Sequence, residues 1–443
     1  MSATGDLVAY VCHLDPESLP DRVVRQARRC LLDLLGVAIA GSRTPMAQIS
    51  ARFARDQWGV GKATVIGSRR SLRATGASWA NSVAACALDM DDGHRLAMGH
   101  PGAAVIPAAL AIAEVTGASG REFLAAIVAG YEVAVRASFA RVSWYKDGHY
   151  PTGIWGVLGA AAAAGKLLGL DERALQSALG TAAAHGPFPP GTSRTVYTMV
   201  KEVIGWAGMT GCAAALLAAQ GFDGPQDVMD YSGRWDTAQL VDGLGDPERY
   251  AILGVYFKPY AICRWAHPAV DAVLDLTGRY GLPGEEIEKI EVETFDAATR
   301  LLVNYTPRDT ISAQFSLPFA LALALRYGKI GPEHVSEANL HDREIMDLAK
   351  RVEVTLDPDI NRQFPAKTVA RVTVHTARGA CQTTIEHPRG NPENPLSDAE
   401  LADKFQSLTE AIVGKETYEK LQAAILNLAS VGNVSSVTQL LVF

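Results

Sequence analysis

The hydrophobic rhythm of the chain changes once. Over about the first 265 residues, apolar positions recur at helical spacing. In 20–41, Val23, Ala27, Leu31, Leu34 and Ala38 form one stripe, Arg22, Arg25 and Arg29 lie off it, and Gly41 ends the run. The same texture predicts helices over 74–88, 101–117, 121–140, 152–169, 172–185 and 201–221. Several have no polar face: 160–164 is alanine throughout, and 213–219 contains only alanine and leucine. A helix that is apolar on every side belongs inside a bundle, and small side chains let neighbouring axes come close.

Beyond about residue 266 the rhythm shortens to two. Residues 290–294, 351–356, 369–375 and 381–385 alternate as half-covered strands do, and the last two flank a hairpin signal at Ala377, Arg378 and Gly379. Helical spacing returns over 313–327 and 332–350, a Pro/Gly/Asn-rich loop follows at 388–395, and 397–443 reads as helix. The pattern predicts a mainly α protein. A large all-helical domain (1–265 plus 397–443) carries an inserted, smaller α+β lid domain (266–396).

Composition narrows the class. A chain of 443 residues is long for one core, and 48% hydrophobic with 20% charged residues excludes disordered and fibrous classes. The formal charge of −7 argues against a nucleic-acid or anionic-membrane partner. No uninterrupted apolar stretch of about 18 residues is seen, so no bilayer span is expected. Residues 1–6 lack the basic start of a secretion signal. The six cysteines are scattered without a Cys-x-x-Cys pair, which points to a reducing cytoplasm and away from zinc or an iron–sulfur cluster. Phosphate-loop, Gly-x-Ser-x-Gly and His-Glu-x-x-His motifs are absent.

Four polar clusters remain. Asp89, Asp91, Asp92 and His94 precede His100, which stands before Pro101 at a helix start. Asp89 and Asp92 share a face if the preceding helix continues, and crowded carboxylates raise at least one pKa, which suits acid/base work. A solvated helix end is an equal reading, and a divalent-metal site is a third, although the spacing is not that of a calcium loop. Lys201 leads into an apolar helix, where it is either a surface lysine or a buried cation in need of a partner. Lys258, Tyr260, Cys263, Arg264 and His267 crowd into ten residues at the domain seam, a natural place to hold an anion, with ordinary structural ion pairs as the alternative. His149 and Tyr150 precede Thr152, for which helix capping is a sufficient role.

In order along the chain, these segments resemble the MmgE/PrpD family. The resemblance is carried by Ala-Leu-Asp-Met-Asp-Asp ending at Asp92 with His100-Pro-Gly, by Gly130-Tyr-Glu-Val, and by Pro151-Thr-Gly with the Ala-rich helix ending Lys166-Leu-Leu-Gly-Leu. It continues through Lys201 to Gly221-Phe-Asp-Gly-Pro, Lys258-Pro-Tyr to His267, Gln314-Phe-Ser-Leu-Pro-Phe, Pro388-Arg-Gly, Asn394-Pro-Leu-Ser and Lys404-Phe. The family includes 2-methylcitrate dehydratase, cis-aconitate decarboxylase and iminodisuccinate epimerase. The resemblance implies a homodimer with a helical domain and an α+β lid, a site between them, and no metal or organic cofactor. It also implies a small di- or tricarboxylate as substrate. It places Asp89, His100 and Lys201, with His149 and Tyr150, in the catalytic set, and Lys258, Arg264, His267, Asp92 and Cys263 around the substrate.

Several positions depart from the family pattern. Gly93 stands where dehydratases and decarboxylases commonly have Thr, and Tyr150 where they have His. Cys263 and Phe319 replace a His and a Tyr of the decarboxylase branch. These changes point away from cis-aconitate decarboxylation and standard 2-methylcitrate dehydration, and imply either a base set rewired through His149, Tyr150 and His94 or a different substrate. The expected activity is a cofactor-independent lyase, foremost a dehydratase, that takes a proton next to a carboxylate. An isomerase or epimerase using the same proton abstraction, and a non-catalytic carboxylate binder, are the alternatives.

Overall fold

The computed structural model describes residues 2–141, 151–187, 198–231 and 233–443. Among the described residues, the N-terminal part of the body is built from α1 (Ala3–His13), α2 (Asp21–Gly41), α3 (Pro45–Trp58), α4 (Ala74–Cys86), α5 (Pro101–Thr116), α6 (Gly120–Ala140), α7 (Gly153–Leu167), α8 (Glu172–His185) and α9 (Ile204–Ala218). A short strand β1 (Val60–Ala63) lies between α3 and α4. The alanine-rich α7 is the central rod, with 153–165 wholly buried against α5, α6 and α9. Its glycines set the spacing. A Cβ on Gly159 would lie 2.5 Å from the carbonyl oxygen of Gly130 in α6, and one on Gly211 of α9 would lie 2.6 Å from that of Val157. Only a bare backbone permits axes this close.

Helix α6 spans 21 residues. By length and composition it could cross a membrane, yet 94% of its most apolar window is buried inside the protein. It is a core helix, opened by a Ser119–Glu122 capping box.

The second unit is built on a four-stranded sheet in the order β5-β4-β6-β7, comprising β4 (Ile287–Thr294), β5 (Val352–Leu356), β6 (Ala370–Thr376) and β7 (Gly379–Ile385). β4 runs parallel to β5 and antiparallel to β6, with Ile290 opposite both Val352 and Val374. Ile290, Val292, Val372 and Val374 form the covered face, packed with Val273 and Phe319 from helices His267–Tyr280 and Leu317–Tyr327. Two expected helices are broken by caps. Ser316 opens Leu317–Tyr327 separately from Thr310–Ala313, and Asp342 separates Glu337–Leu340 from Arg343–Ala349.

After this unit the chain returns to the body. Helix Asp398–Val413 packs on α2, where Lys404 Nζ meets Asp33 Oδ1 at 2.5 Å and the carbonyl of Met90 at 2.7 Å, all buried. Val37, Leu88, Met90 and Leu408 of the body join the core of the second unit. At this junction a two-residue strand β2 (Gly93–His94) pairs with β3 (Val255–Tyr256).

Candidate active site

Helix α4 stops at Cys86, so Asp89 and Asp92 do not share a helical face, contrary to the sequence expectation. Asp89 turns the chain with φ of 50°, a left-handed conformation that Asp tolerates better than most residues. The turn, the residue before α5 and the segment after β3 thereby bring Asp89, Asp91, His100 and Lys258 together.

Lys258 is fully buried. Its Nζ donates to Asp89 Oδ1 at 2.7 Å and to the Asp89 carbonyl at 3.1 Å, and it lies 3.3 Å from His100 Nδ1. His100 Nδ1 is 3.1 Å from Asp91 Oδ2. The opposite ring nitrogen, Nε2, lies 3.7 Å from Glu202 Oε1 and 3.9 Å from Asp89 Oδ1. Burial and the Lys258 charge push His100 down, but Asp91 and Glu202 outweigh them and hold it above the ordinary histidine value. Burial would raise Asp89 and Asp91, yet their cationic neighbours win: Lys201 and Lys258 for Asp89, His100 and Lys258 for Asp91. Both stay ionised. Asp89, Asp91 and His100 carry donor atoms within 4.8 Å of one another, close enough to share a cation. Of these three, Asp89 is paired with the ammonium of Lys258.

Above this network opens a cavity of about 310 Å³ between the helical body and the sheet unit. Arg95, His100, Glu202 and Tyr256 line it from the body, and Cys263, Arg264 and Trp265 from the connection. The sheet unit adds Arg300, Phe315 and Asn361, and Asn391 reaches in from the returning loop.

Two buried cations at the cavity, Arg264 in its wall and Lys201 packed on the lining residue Phe315, have no carboxylate at ion-pair distance among the described residues. Lys201, 4% exposed, donates to Gln314 Oε1 at 2.7 Å and lies over the Phe315 ring. Arg264, also 4% exposed, donates to the carbonyls of Arg389 (2.9 Å) and Pro388 (3.0 Å) and to Asn391 Oδ1 (2.6 Å). Burial lowers Arg264 to about 10, so it remains charged at neutral pH.

The other expected residues fall differently. His267 is fully buried behind Arg264 and held neutral by burial and by the Arg264 charge. Its Nδ1 accepts from Arg264 at 3.0 Å and its Nε2 donates to the Ile262 carbonyl at 3.2 Å, so it orients the guanidinium from outside the cavity. Asp92 faces the helical core, not the cavity, and accepts from Tyr131 Oη at 2.5 Å and Gly102 N at 3.1 Å. Burial pushes it up to about 7. Cys263 lines the wall as a neutral thiol, raised by burial to about 12. His94 is held neutral, at about 3, by burial and Arg95, and packs against Phe139 away from the cavity; it is misplaced for a base. The Thr152 hydroxyl does not cap α7 but bonds the Glu202 carboxylate and accepts from His100 N at 3.1 Å. Phe319 is core. His149 and Tyr150 lie outside the described residues.

Sequence reasoning did not select Asp91, Glu202, Arg95 or Tyr256. Asp91 stood among three carboxylates that spacing alone could not rank. Glu202 occupies one of three successive left-handed positions, Lys201 to Val203, for which no residue pattern gives a signal.

The chain matches the MmgE/PrpD N-terminal domain over residues 5–247 and the MmgE/PrpD C-terminal domain over 260–430. It belongs to the MmgE/PrpD family. Among relatives of this family, cis-aconitate decarboxylase of Aspergillus terreus is 25% identical over 479 aligned positions, covering 99% of this chain and 96% of the relative. Cis-aconitate decarboxylase of Homo sapiens is 27% identical over 462 positions, covering 99% and 94%. The Mus musculus enzyme of the same name is 25% identical, covering 99% and 93%. The MmgE/PrpD match therefore runs through both the helical body and the sheet unit.

Proposed function

We propose that this MmgE/PrpD chain is a lyase that acts on a small polycarboxylate without a cofactor, with loss of water as its first reading. The observation that carries this is the pair of buried cations, Arg264 in the cavity wall and Lys201 packed on its lining residue Phe315, beside a cavity whose floor is His100. Buried charges with no carboxylate at ion-pair distance are costly, and a dicarboxylate held between them offsets that cost. The same cations stabilise the enediolate that forms when a proton leaves the carbon next to a carboxylate.

Glu202, with one oxygen tied to Thr152 and the other facing His100 Nε2, is the proton acceptor in this reading. His100, kept protonated by Asp91 and Glu202, gives its proton to the departing hydroxide. Asp91, accepting from Nδ1 at 3.1 Å, holds the imidazolium in place. A second reading, loss of CO2, is favoured by the relatives, which are named cis-aconitate decarboxylases and align over nearly their full length. The two share the cavity and the cations but differ in the bond that breaks.

The test is an activity screen over citrate-like, aconitate-like and amino-dicarboxylate compounds, followed by proton NMR in D2O in both directions. The dehydratase reading expects an unsaturated acid from a hydroxy acid, or its hydration in reverse. Release of CO2 replaces it with the decarboxylase reading. Solvent deuterium at a retained stereocentre with no unsaturated product makes the chain an epimerase, and binding without turnover makes it a carboxylate-binding protein. Loss of activity in EDTA contradicts the cofactor-free mechanism.

A further inference from the structure

Gly93 and Tyr256 stand directly opposite each other in the β2–β3 ladder. The tyrosine ring lies flat over the glycine: a Cβ on Gly93 would fall 2.3 Å from the Tyr256 hydroxyl oxygen and 2.4 Å from Cζ. No L side chain at position 93 leaves room for the ring where it is. The Arg264 guanidinium covers the ring from another side, 4.6 Å from its centroid. The ring is thus held between backbone and a buried cation, with little freedom to move.

The residue is 4% exposed and forms part of the cavity wall beside His100 and Arg264. Its hydroxyl makes no hydrogen bond among the described residues. Burial also raises the phenol, with Lys258 and Arg264 only partly offsetting it, so the group stays a neutral donor at any ordinary pH. A fixed, uncommitted donor on the wall of a cation-flanked cavity is suited to an anionic oxygen.

We propose that Tyr256 is a substrate-binding residue of this site, admitted by Gly93, and that its hydroxyl donates a hydrogen bond to an oxygen of the bound polycarboxylate. The inference rests on the polycarboxylate reading of the cavity and adds to it a residue that helps set which acid is accepted.

The experiment is calorimetric titration of the full chain and of Tyr256→Phe with citrate, tricarballylate and cis-aconitate, alongside thermal unfolding. Tyr256→Phe keeps the ring between Gly93 and Arg264 and removes only the donor. It is expected to weaken binding about 10- to 100-fold, as loss of a hydrogen bond to a charged group does, with an unchanged melting temperature. Affinity within about twofold of wild type for every acid that binds overturns the proposal and leaves the polycarboxylate reading intact. If none of the three acids binds the wild type, that reading falls and the proposal falls with it. Gly93→Ala supplies an independent check, because it forces the ring out of place. It is expected to weaken binding strongly alone and by less than about threefold in the Tyr256→Phe background, where no donor remains to be displaced. Equal losses in both backgrounds refute the coupling.

Discussion

Replacing Lys258 by Met isolates the charge at the floor of the site from its bulk. The Lys258 side chain is fully buried, and those of Asp89 and Asp91 are 4% and 1% exposed. Methionine keeps most of the stem but removes the ammonium that lies 2.7 Å from Asp89 and 3.3 Å from His100. Two buried carboxylates then face one imidazolium and the more distant Lys201. Breaking a buried pair from one side costs about 3–5 kcal/mol. An unfolding entropy of about 2.1 cal/mol/K per residue over 443 residues amounts to about 0.9 kcal/mol/K. The melting temperature at pH 7 should therefore fall by about 3–5 °C if the chain unfolds as one unit.

The sign with pH follows from Asp89. Burial would raise its pKa, but Lys201 and Lys258 depress it well below the ordinary value. A depressed carboxylate contributes stability that is present above its unfolded value, near 3.9, and is lost as pH falls through the folded one. Lys258→Met gives up part of that contribution, so the gap between variant and wild type should hold from pH 7 to about 4 and shrink as pH drops further, to about 2.5. Scanning calorimetry at pH 7 and at about pH 2.5 measures it. A fall below about 1 °C at pH 7, or an equal fall at both, would refute the electrostatic reasoning and leave a packing effect.

Three further outcomes are expected. His100→Asn should lower kcat about 10²- to 10⁴-fold; because His100 is held above 6.5 and is the acid in the proposed reaction, wild-type activity should fall on an alkaline limb above that value, a limb missing from the residual activity of the variant. Asp92 is raised to about 7 in the fold, so the protonated form is favoured there and stability declines as pH rises from about 4 to about 7; Asp92→Asn cannot ionise and should gain melting temperature relative to wild type more at pH 8 than at pH 4, and a gain confined to pH 4 would contradict the assignment. Gly159→Val should destabilise by about 1–3 kcal/mol in thermal or urea unfolding, because its Cβ would lie 2.5 Å from the Gly130 carbonyl, with substrate affinity unchanged in the folded fraction.

Much of the architecture is legible along the chain because it rests on local periodicity. The alanine run of α7, the stripe of α2 and the alternation in β4 and β6 each encode an element and its buried face within a few residues. The clustering of Asp89, His100, Lys258 and Arg264 as candidates was equally readable, since charged side chains in apolar surroundings stand out by composition alone. What the sequence cannot rank is where each side chain points. Asp92, three residues from Asp89, faces the core because α4 ends at Cys86 and the chain turns through a left-handed Asp89. His267 supports Arg264 from behind, three residues away in sequence.

Glu202 reaches His100, and Tyr256 covers Gly93, across 101 and 162 residues of intervening chain. Such contacts arise only when the helical body, the β2–β3 pair and the sheet unit are assembled, because burial and charge complementarity are properties of the packed whole. Residue types and their periodicity determined the elements, the family and the supply of charged groups. Only the tertiary structure decided which of those groups face one another across the cavity, and therefore which charges are compensated and which are left to hold an anion.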